Sequence, residues 1–269
     1  MNLSEPIVMG ILNITPDSFY DGGQYLQEQH ALQRVEHMVS EGAAIIDVGA
    51  ASTRPGASVE SSETEIQRLM PLLKAIIKEF PQVVLSIDTY NARTARMALD
   101  EGAHIINDIS AGSLDQDMFS TIAEYQVPYI IMHTVGTPDV MQKNPSYQDV
   151  TKEVAFYFSK KLFQLNQLGV HDIIIDPGFG FAKSMEHNYQ LLQNLDFFRI
   201  FDLPILAGVS RKGMIHKALK VKPEESLNGT TVVNTMALLK GASILRVHDV
   251  KAAVEAVKIC KLYQSQADF

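Results

Sequence analysis

Apolar residues recur along this chain in eight short runs, each followed by a longer segment whose apolar positions return at helical spacing. The runs lie at 7–12, 44–48, 83–87, 104–107, 129–132, 172–175, 204–207 and 244–247. They are nearly continuous in Ile, Val, Leu and Met, the pattern of strands buried on both faces of a parallel sheet. The intervening segments, at 28–40, 62–79, 91–100, 116–125, 149–168, 187–194, 225–239 and 250–263, predict amphipathic helices. In 149–168, for example, Val154, Phe158, Leu162 and Leu165 fall on one stripe. Gly42, Gly102, Gly169 and Gly241 stand just before a strand, where glycine stops the preceding helix in a left-handed conformation.

Alternation of strand and helix with short connections implies a parallel sheet. An open doubly wound sheet needs fewer units than the eight found here, whereas a closed barrel uses all of them. The expected architecture is therefore α/β, a single (β/α)8 TIM barrel spanning residues 1–269 as one domain. The longest irregular stretches, 15–27, 50–61 and 134–148, each follow a strand. In such barrels that rim carries the active site, and loops longer than about a dozen residues in a compact domain are usually functional or mobile.

Composition narrows the setting. The net charge of −8 speaks against a nucleic-acid partner or an anionic membrane surface. No run approaches the ~20 apolar residues of a membrane span. Residues 1–6 lack the basic and apolar regions of a signal peptide, and Cys260 is the only cysteine. A reducing, cytoplasmic location is expected, with Cys260 a buried thiol on its helix.

The strand ends carry polar groups that folding does not need. They are Asn13, Asp47, Asp88, Asn107 with Asp108, His133, Asp176, the run Ser210-Arg211-Lys212, and Arg246 with His248 and Asp249. Singly, Asp88 and Asp249 read equally well as helix N-caps, and His133 as a satisfied rim histidine. Together they make a ligand site the better explanation. The densest stretch is Asp176-Pro177-Gly178-Phe179-Gly180-Phe181-Ala182-Lys183, which offers close backbone approach, two stacking faces and two opposite charges. It points to a flat, polar, partly anionic small molecule.

The groups also divide by kind. Asp88, Asn107 and Asp176 supply acceptors and an amide for a ring rich in N–H groups, because buried carboxylates need donors. Arg54, Lys212, Arg246 and His248 supply positive charge. Arg246 and His248 leave one strand at a spacing of two, hence on one side, where paired cations call for a phosphate or pyrophosphate. The competing reading is an ion pair of Arg246-x-His248 with Asp47 or Asp249. No Walker loop, dinucleotide fingerprint, Ser-His-Asp set or zinc spacing occurs. Mg²⁺ needs few protein ligands because it keeps waters and takes phosphate oxygens, so Asn13 alone would suffice.

Taken in order, residues 10–19, 52–56, 86–89, 106–108, 132–133 with 136–138, 176–183, 210–212 and 246–250 resemble dihydropteroate synthase, the folate-pathway family targeted by sulfonamides. The resemblance implies condensation of 6-hydroxymethyl-7,8-dihydropterin diphosphate with 4-aminobenzoate, releasing pyrophosphate. By the same resemblance Asp88, Asn107, Asp176 and Lys212 hold the pterin, and Arg246 and His248, with Arg54, hold the diphosphate. Asn13 ligates Mg²⁺; Thr53, Pro55 and Phe181 shape the aminobenzoate site, and Phe19 closes over it. Arg54, Asp88, Lys212, Arg246 and His248 carry the chemistry, and the enzyme is expected as a homodimer. On this reading Lys183 is less suited to the ring than Lys212. Three positions depart from the family pattern: Ala51 where Glu is frequent, Thr134 where Met is, and Gly213 where Ser is. With Gly213, the aminobenzoate carboxylate is left to backbone N–H groups. A corrinoid-linked pterin methyltransferase domain has no use for Ser210-Arg211-Lys212 or Arg246-x-His248. A silent pterin-binding subunit predicts erosion of Asn13, Arg54 or Lys212, all present.

Overall fold

In the computed structural model, which describes residue 3 and residues 5–14, 24–50, 61–136 and 146–265, eight strands pair in parallel. They are β1 (Ile7–Asn13), β2 (Ile45–Gly49), β3 (Val84–Asp88), β4 (Ile105–Asp108), β5 (Tyr129–Met132), β6 (Ile173–Asp176), β7 (Leu206–Ala207) and β8 (Ile244–Val247). Their order is β6-β5-β4-β3-β2-β1-β8-β7. The Ile175 N–H donates to the Pro204 carbonyl at 3.0 Å, and a parallel bridge joins Ile175 to Ile205. The sheet thereby closes on itself, as the eightfold alternation predicts.

Around it lie α1 (Gln24–Ser40), α2 (Ser62–Glu79), α3 (Ala92–Glu101), α4 (Met118–Tyr125), α5 (Val150–Gln167), α6 (Met185–Gln193), α7 (Gly213–Leu219), α8 (Leu227–Leu239) and α9 (Val250–Ser265). Short 3₁₀ segments occupy Leu195–Phe201 and Pro223–Glu225. The four helix-stopping glycines do adopt positive φ: 100° at Gly42, 117° at Gly102, 73° at Gly169 and 96° at Gly241. Cys260 is buried on α9 as a free thiol. No helix among the described residues is long and apolar enough to cross a membrane.

The departures from expectation have local causes. β1, β2, β3, β4 and β6 end one residue later than their apolar runs, on Asn13, Gly49, Asp88, Asp108 and Asp176. Ladder bonds are made by the backbone, so a polar side chain does not end a strand. β7 shrinks to two residues. Pro204 has no N–H to give, and Ile205 joins β6 only through an isolated bridge. α6 starts two residues before the expected 187, where the Ser184 hydroxyl accepts from the His187 N–H at 3.2 Å and the Ser184 N–H donates to His187 Nδ1 at 3.2 Å. α8 starts at Leu227, after the 3₁₀ turn, and α7 was not expected, being too short for a period to show.

Strand period sorts the side chains into two layers. Val8, Ile46, Leu85, Ile106, Ile131, Ile175 and Leu245 face the helices. Met9, Ile45, Ile105, Ile130, Ile174, Leu206 and Ile244 form a separate apolar plug inside the barrel. Two residues further along the inner face come Asp47, Asn107, Met132, Asp176, Gly208 and Arg246, with Asn13, Gly49 and Asp88 above. The barrel is thus oil at one end and charge at the other.

Candidate active site

The charged end has a floor made by two carboxylates and one guanidinium. Asp47 is fully buried and Asp88 is 4% exposed. Arg246 Nε donates to Asp47 Oδ2 at 2.6 Å, and Nη2 lies 2.6 Å from the same oxygen. Nη2 also donates to Asp88 Oδ2 at 2.7 Å. Asn107 Nδ2 donates to Asp47 Oδ2 at 3.1 Å. The Oδ1 atoms of Asp47 and Asp88 are buried with no partner, and so is Ser86 Oγ. One cation among two carboxylates leaves a negative surplus away from water. Burial pushes the Asp88 carboxyl up to about 7; Arg246 opposes the rise and Asp47 adds to it.

Asp176 and Lys212 form the opposite wall. The Gly178 N–H donates to Asp176 Oδ1 at 2.8 Å. A methyl built on Gly208 would sit 3.7 Å from Lys212 Nζ and 3.8 Å from Asp176 Oδ2, so glycine there opens the floor between them. Lys212 Nζ donates to the Phe179 carbonyl at 2.5 Å and lies 4.5 Å from the Phe181 ring centroid. The residue as a whole is half-buried. Burial lowers its pKa to about 8 against the attraction of Asp176. Burial raises Asp176 in turn, opposed first by Lys212.

The 176–183 stretch divides differently from its sequence reading. Phe179 is fully buried in the outer core and is no stacking face; Phe181 stays at the inner rim against Tyr90, Ile109 and Met132. Lys183 does not face a ligand. Its ammonium donates to the carbonyls of Gly178 at 2.9 Å and Phe181 at 3.0 Å, and meets His133 Nδ1 at 3.0 Å. Burial brings it down to about 7. His133 is the satisfied histidine expected, its ring edge-on to Tyr157 at 4.9 Å. Burial keeps it neutral, with the nearby Lys183 charge acting the same way.

Arg246 and His248 are not two adjacent cations. The carboxylates of Asp47 and Asp88 already counter Arg246. Burial, then Arg246 and Arg211, lowers His248 to about 4, so it is neutral near pH 7. Its Nδ1 lies 3.0 Å from Ser210 Oγ, and its carbonyl accepts from Arg34 Nη2 at 2.5 Å. Asp249 pairs with Arg211, at 2.9 Å to Nε and 2.7 Å to Nη2, rather than with Arg246. The competing reading of the pair therefore holds for Arg246 and Asp47. Asp88 is not an N-cap either, since Asn91 takes that position on α3.

Asn13 ends β1 with its side chain exposed, and a methyl on Gly49 would lie 3.4 Å from Asn13 Oδ1 and 3.4 Å from Asp88 Cβ. Gly213 opens α7 directly after Lys212. Asp88, Asn107, Asp176, Lys212, Arg246 and His248 therefore meet at one end of the barrel, with Phe181 and Gly213 at its edge. Phe19, Thr53, Arg54 and Pro55, and the departure at Ala51, lie outside the described residues. Sequence reading missed the depth of Asp47. The signal was its place two residues after Ile45, on the inner face but below Gly49.

Known proteins resemble this chain over nearly its whole length. The family described as pterin binding enzymes matches residues 9–248. The chain is 45% identical over 261 residues to the dihydropteroate synthase of Escherichia coli K12, covering 96% of this chain and 92% of that one. It is 46% identical over 256 residues to the dihydropteroate synthase of Streptococcus pyogenes, covering 94% and 93%. The structure of Yersinia pestis dihydropteroate synthase with a sulfonamide drug complex superposes with a TM-score of 0.92 at 40% identity, covering 98% of this chain and 96% of that one. That of the Xanthomonas albilineans dihydropteroate synthase with 4-aminobenzoic acid gives 0.90 at 36% identity, covering 98% and 95%.

Proposed function

The chain belongs to the dihydropteroate synthase family of pterin-binding enzymes, and from that premise we propose that it joins 6-hydroxymethyl-7,8-dihydropterin diphosphate to 4-aminobenzoate, forming 7,8-dihydropteroate and pyrophosphate. The observation that carries this reading is the placement of Asp88, Asn107, Asp176 and Lys212 on one barrel end above an apolar plug. Three of these side chains offer oxygen acceptors to a ring edge rich in N–H groups, and Lys212 offers a donor to a ring carbonyl or nitrogen. A flat ring lying between them excludes water from Asp88 and Asp176.

Carbon–oxygen cleavage at the pterin methylene leaves a resonance-stabilised cation and a departing pyrophosphate. Asp88 and Asp176 stabilise the cation; Arg246 and His248 are assigned to the diphosphate end. Neutral His248 serves there as a hydrogen-bonding ring held by Ser210, rather than as a second charge. The aryl amine is neutral and forms the C–N bond through positioning, not through a strong base, and the proton it then sheds passes to the departing pyrophosphate or to water. Phe181 and Gly213 border the side from which it approaches.

Asn13 fits a Mg²⁺ ion that arrives with its substrate. Its amide is exposed beside Asp88, and among the described residues no cluster of three or more His, Cys, Asp or Glu forms a cage of its own. When bound, such an ion supplies charge neutralisation to the departing pyrophosphate. Pyrophosphate release by the purified protein, given the pterin diphosphate and Mg²⁺, is expected to require 4-aminobenzoate. Release that ignores 4-aminobenzoate counts against the synthase reading. Asp176→Asn with unchanged pterin-diphosphate affinity and turnover overturns the pterin contacts.

A further inference from the structure

We propose that Asp47 is a positioning residue for this site: from beneath the ligand it fixes which end of the Asn107 amide faces the pocket and holds the Arg246 guanidinium against Asp88. The proposal rests on the pterin reading given above. Asp47 itself touches no substrate. It is fully buried, and Gly49 stands above it on the same inner face of β2.

The argument for Asn107 is one of donor and acceptor inventory. The two ends of an Asn amide are nearly isosteric, so shape alone does not orient them. Asp47 Oδ2 already accepts from the Arg246 guanidinium, so the Asn107 atom 3.1 Å from it has to be the NH₂ nitrogen. Its carbonyl oxygen then points the other way. Ser86, the register partner of Asp47 on β3, is small and buried, which leaves Asn107 on β4 a path across to β2. With the amide reversed, an NH₂ would confront the N–H groups of the ring. A site built on one hydrogen-bond sense rejects the opposite sense strongly.

The argument for Arg246 is geometric. Asp47 Oδ2 accepts from Nε at 2.6 Å and lies 2.6 Å from Nη2, and that placement sets Nη2 to donate to Asp88 Oδ2 at 2.7 Å. The fork is planar, so holding Nε beside Asp47 fixes the plane in which Nη2 meets Asp88. The groups facing Asp88 are Arg246 from β8, Asp47 from β2, Asp108 from β4, Glu65 from α2 and Lys212 after β7. Removing the charge of Asp47 takes away one group that favours the proton on Asp88 and leaves Arg246 to Asp88 alone. Asp88 then ionises at lower pH.

The test is titration of 6-hydroxymethyl-7,8-dihydropterin into the parent and Asp47→Asn proteins by calorimetry, over the pH range in which Asp88 and Lys212 ionise. Asp47→Asn is expected to weaken pterin affinity about tenfold, the scale of a charge-assisted hydrogen bond. The acid limb of its binding profile should move to lower pH while KM for 4-aminobenzoate stays put. Parental affinity with a parental acid limb overturns the proposal, and so does a uniform loss at all pH with both KM values raised. A variant too unstable to assay is covered by a second measurement on the unaltered, ligand-free protein. The Asn107 side-chain NH₂ signals, assigned by their loss in Asn107→Ser, are expected to exchange slowly with solvent; fast exchange overturns the proposal. A parent protein that binds no pterin counts against the functional reading, and the NMR result still decides the role of Asp47.

Discussion

Asp88 and Lys212 are shifted toward neutrality from opposite sides by the same cause. Burial lifts the Asp88 carboxyl from 3.8 to about 7 and brings the Lys212 ammonium from 10.5 down to about 8. A pterin site of the kind proposed needs the carboxylate ionised and the ammonium charged. Affinity for the pterin diphosphate is therefore expected to fall as pH drops through about 7 and again as it rises through about 8. A binding profile that is flat across this range would sink the assignment of both groups. Linkage gives the sign for stability. With its pKa raised, Asp88 contributes stability below pH 3.8 that is lost as pH rises through about 7. With its pKa lowered, Lys212 contributes stability above pH 10.5 that is lost as pH falls through about 8. The ligand-free protein thus carries both charges at greatest cost where it should bind best. Asp88, Asn107, Asp176 and Lys212 were legible because residue type and strand period together placed them. Asp47 was harder to place, since only Gly49 two residues beyond it on the same face marks it as a carboxylate beneath the rim. Phe179 and Phe181 were indistinguishable as well. Which of them turns inward depends on positive φ at Gly178, Gly180 and Ala182, of 75°, 79° and 48°.

At the scale of elements, the loop after β6 is held by backbone fit and by Lys183. A methyl on Gly178 would lie 2.0 Å from the His133 carbonyl oxygen, at a φ of +75° that L-residues disfavour. Gly178→Ala should therefore cost about 2 kcal/mol or more, of which ~1–2 comes from the left-handed backbone alone. It should also weaken pterin binding, because the Gly178 N–H that orients Asp176 moves with the loop. Urea melts and pterin titration on one preparation check this, and parental values in both would show the loop free to relocate. Lys183→Met makes a separate case. It leaves the Phe181 carbonyl and His133 Nδ1 without a donor, while the Gly178 carbonyl keeps the Phe181 N–H. Unsatisfied buried acceptors cost ~1–3 kcal/mol each, so destabilisation is expected even though Met fills the volume. A Lys183→Met melt matching the parent would mean that water replaces the ammonium. Order and type of these elements were legible from periodicity, because an eightfold pattern of buried strands has few other solutions. Their ends were less so. The apolar runs stopped one residue short of Asp88 and Asp176, which the ladder includes whatever their side chains. α7, at seven residues, has too few turns to print a stripe.

At the scale of the whole molecule, the barrel has one thin seam. β1, β2 and β3 pair over five-residue registers, whereas β6 meets the next strand through the Ile175–Ile205 bridge alone. Local opening free energy follows the number of ladder bonds that must break together, so the seam is the least protected line in the sheet. The site straddles it. Asp176 ends β6 on one side, and Lys212 follows β7 on the other. A ring held by both side chains would staple the two edges, adding to the closed state alone whatever affinity depends on their spacing. Hydrogen exchange makes the consequence measurable. In the ligand-free protein the Ile175 amide is expected to exchange faster than those of Ile46 and Leu85, which sit in long registers. On addition of pterin, protection should rise more at Ile175 than at Ile46 or Leu85. Equal protection along all strands without ligand would mean that side-chain packing, not ladder length, holds the seam. An equal gain everywhere on binding would mean that the ligand stabilises only the global fold and spans no edge.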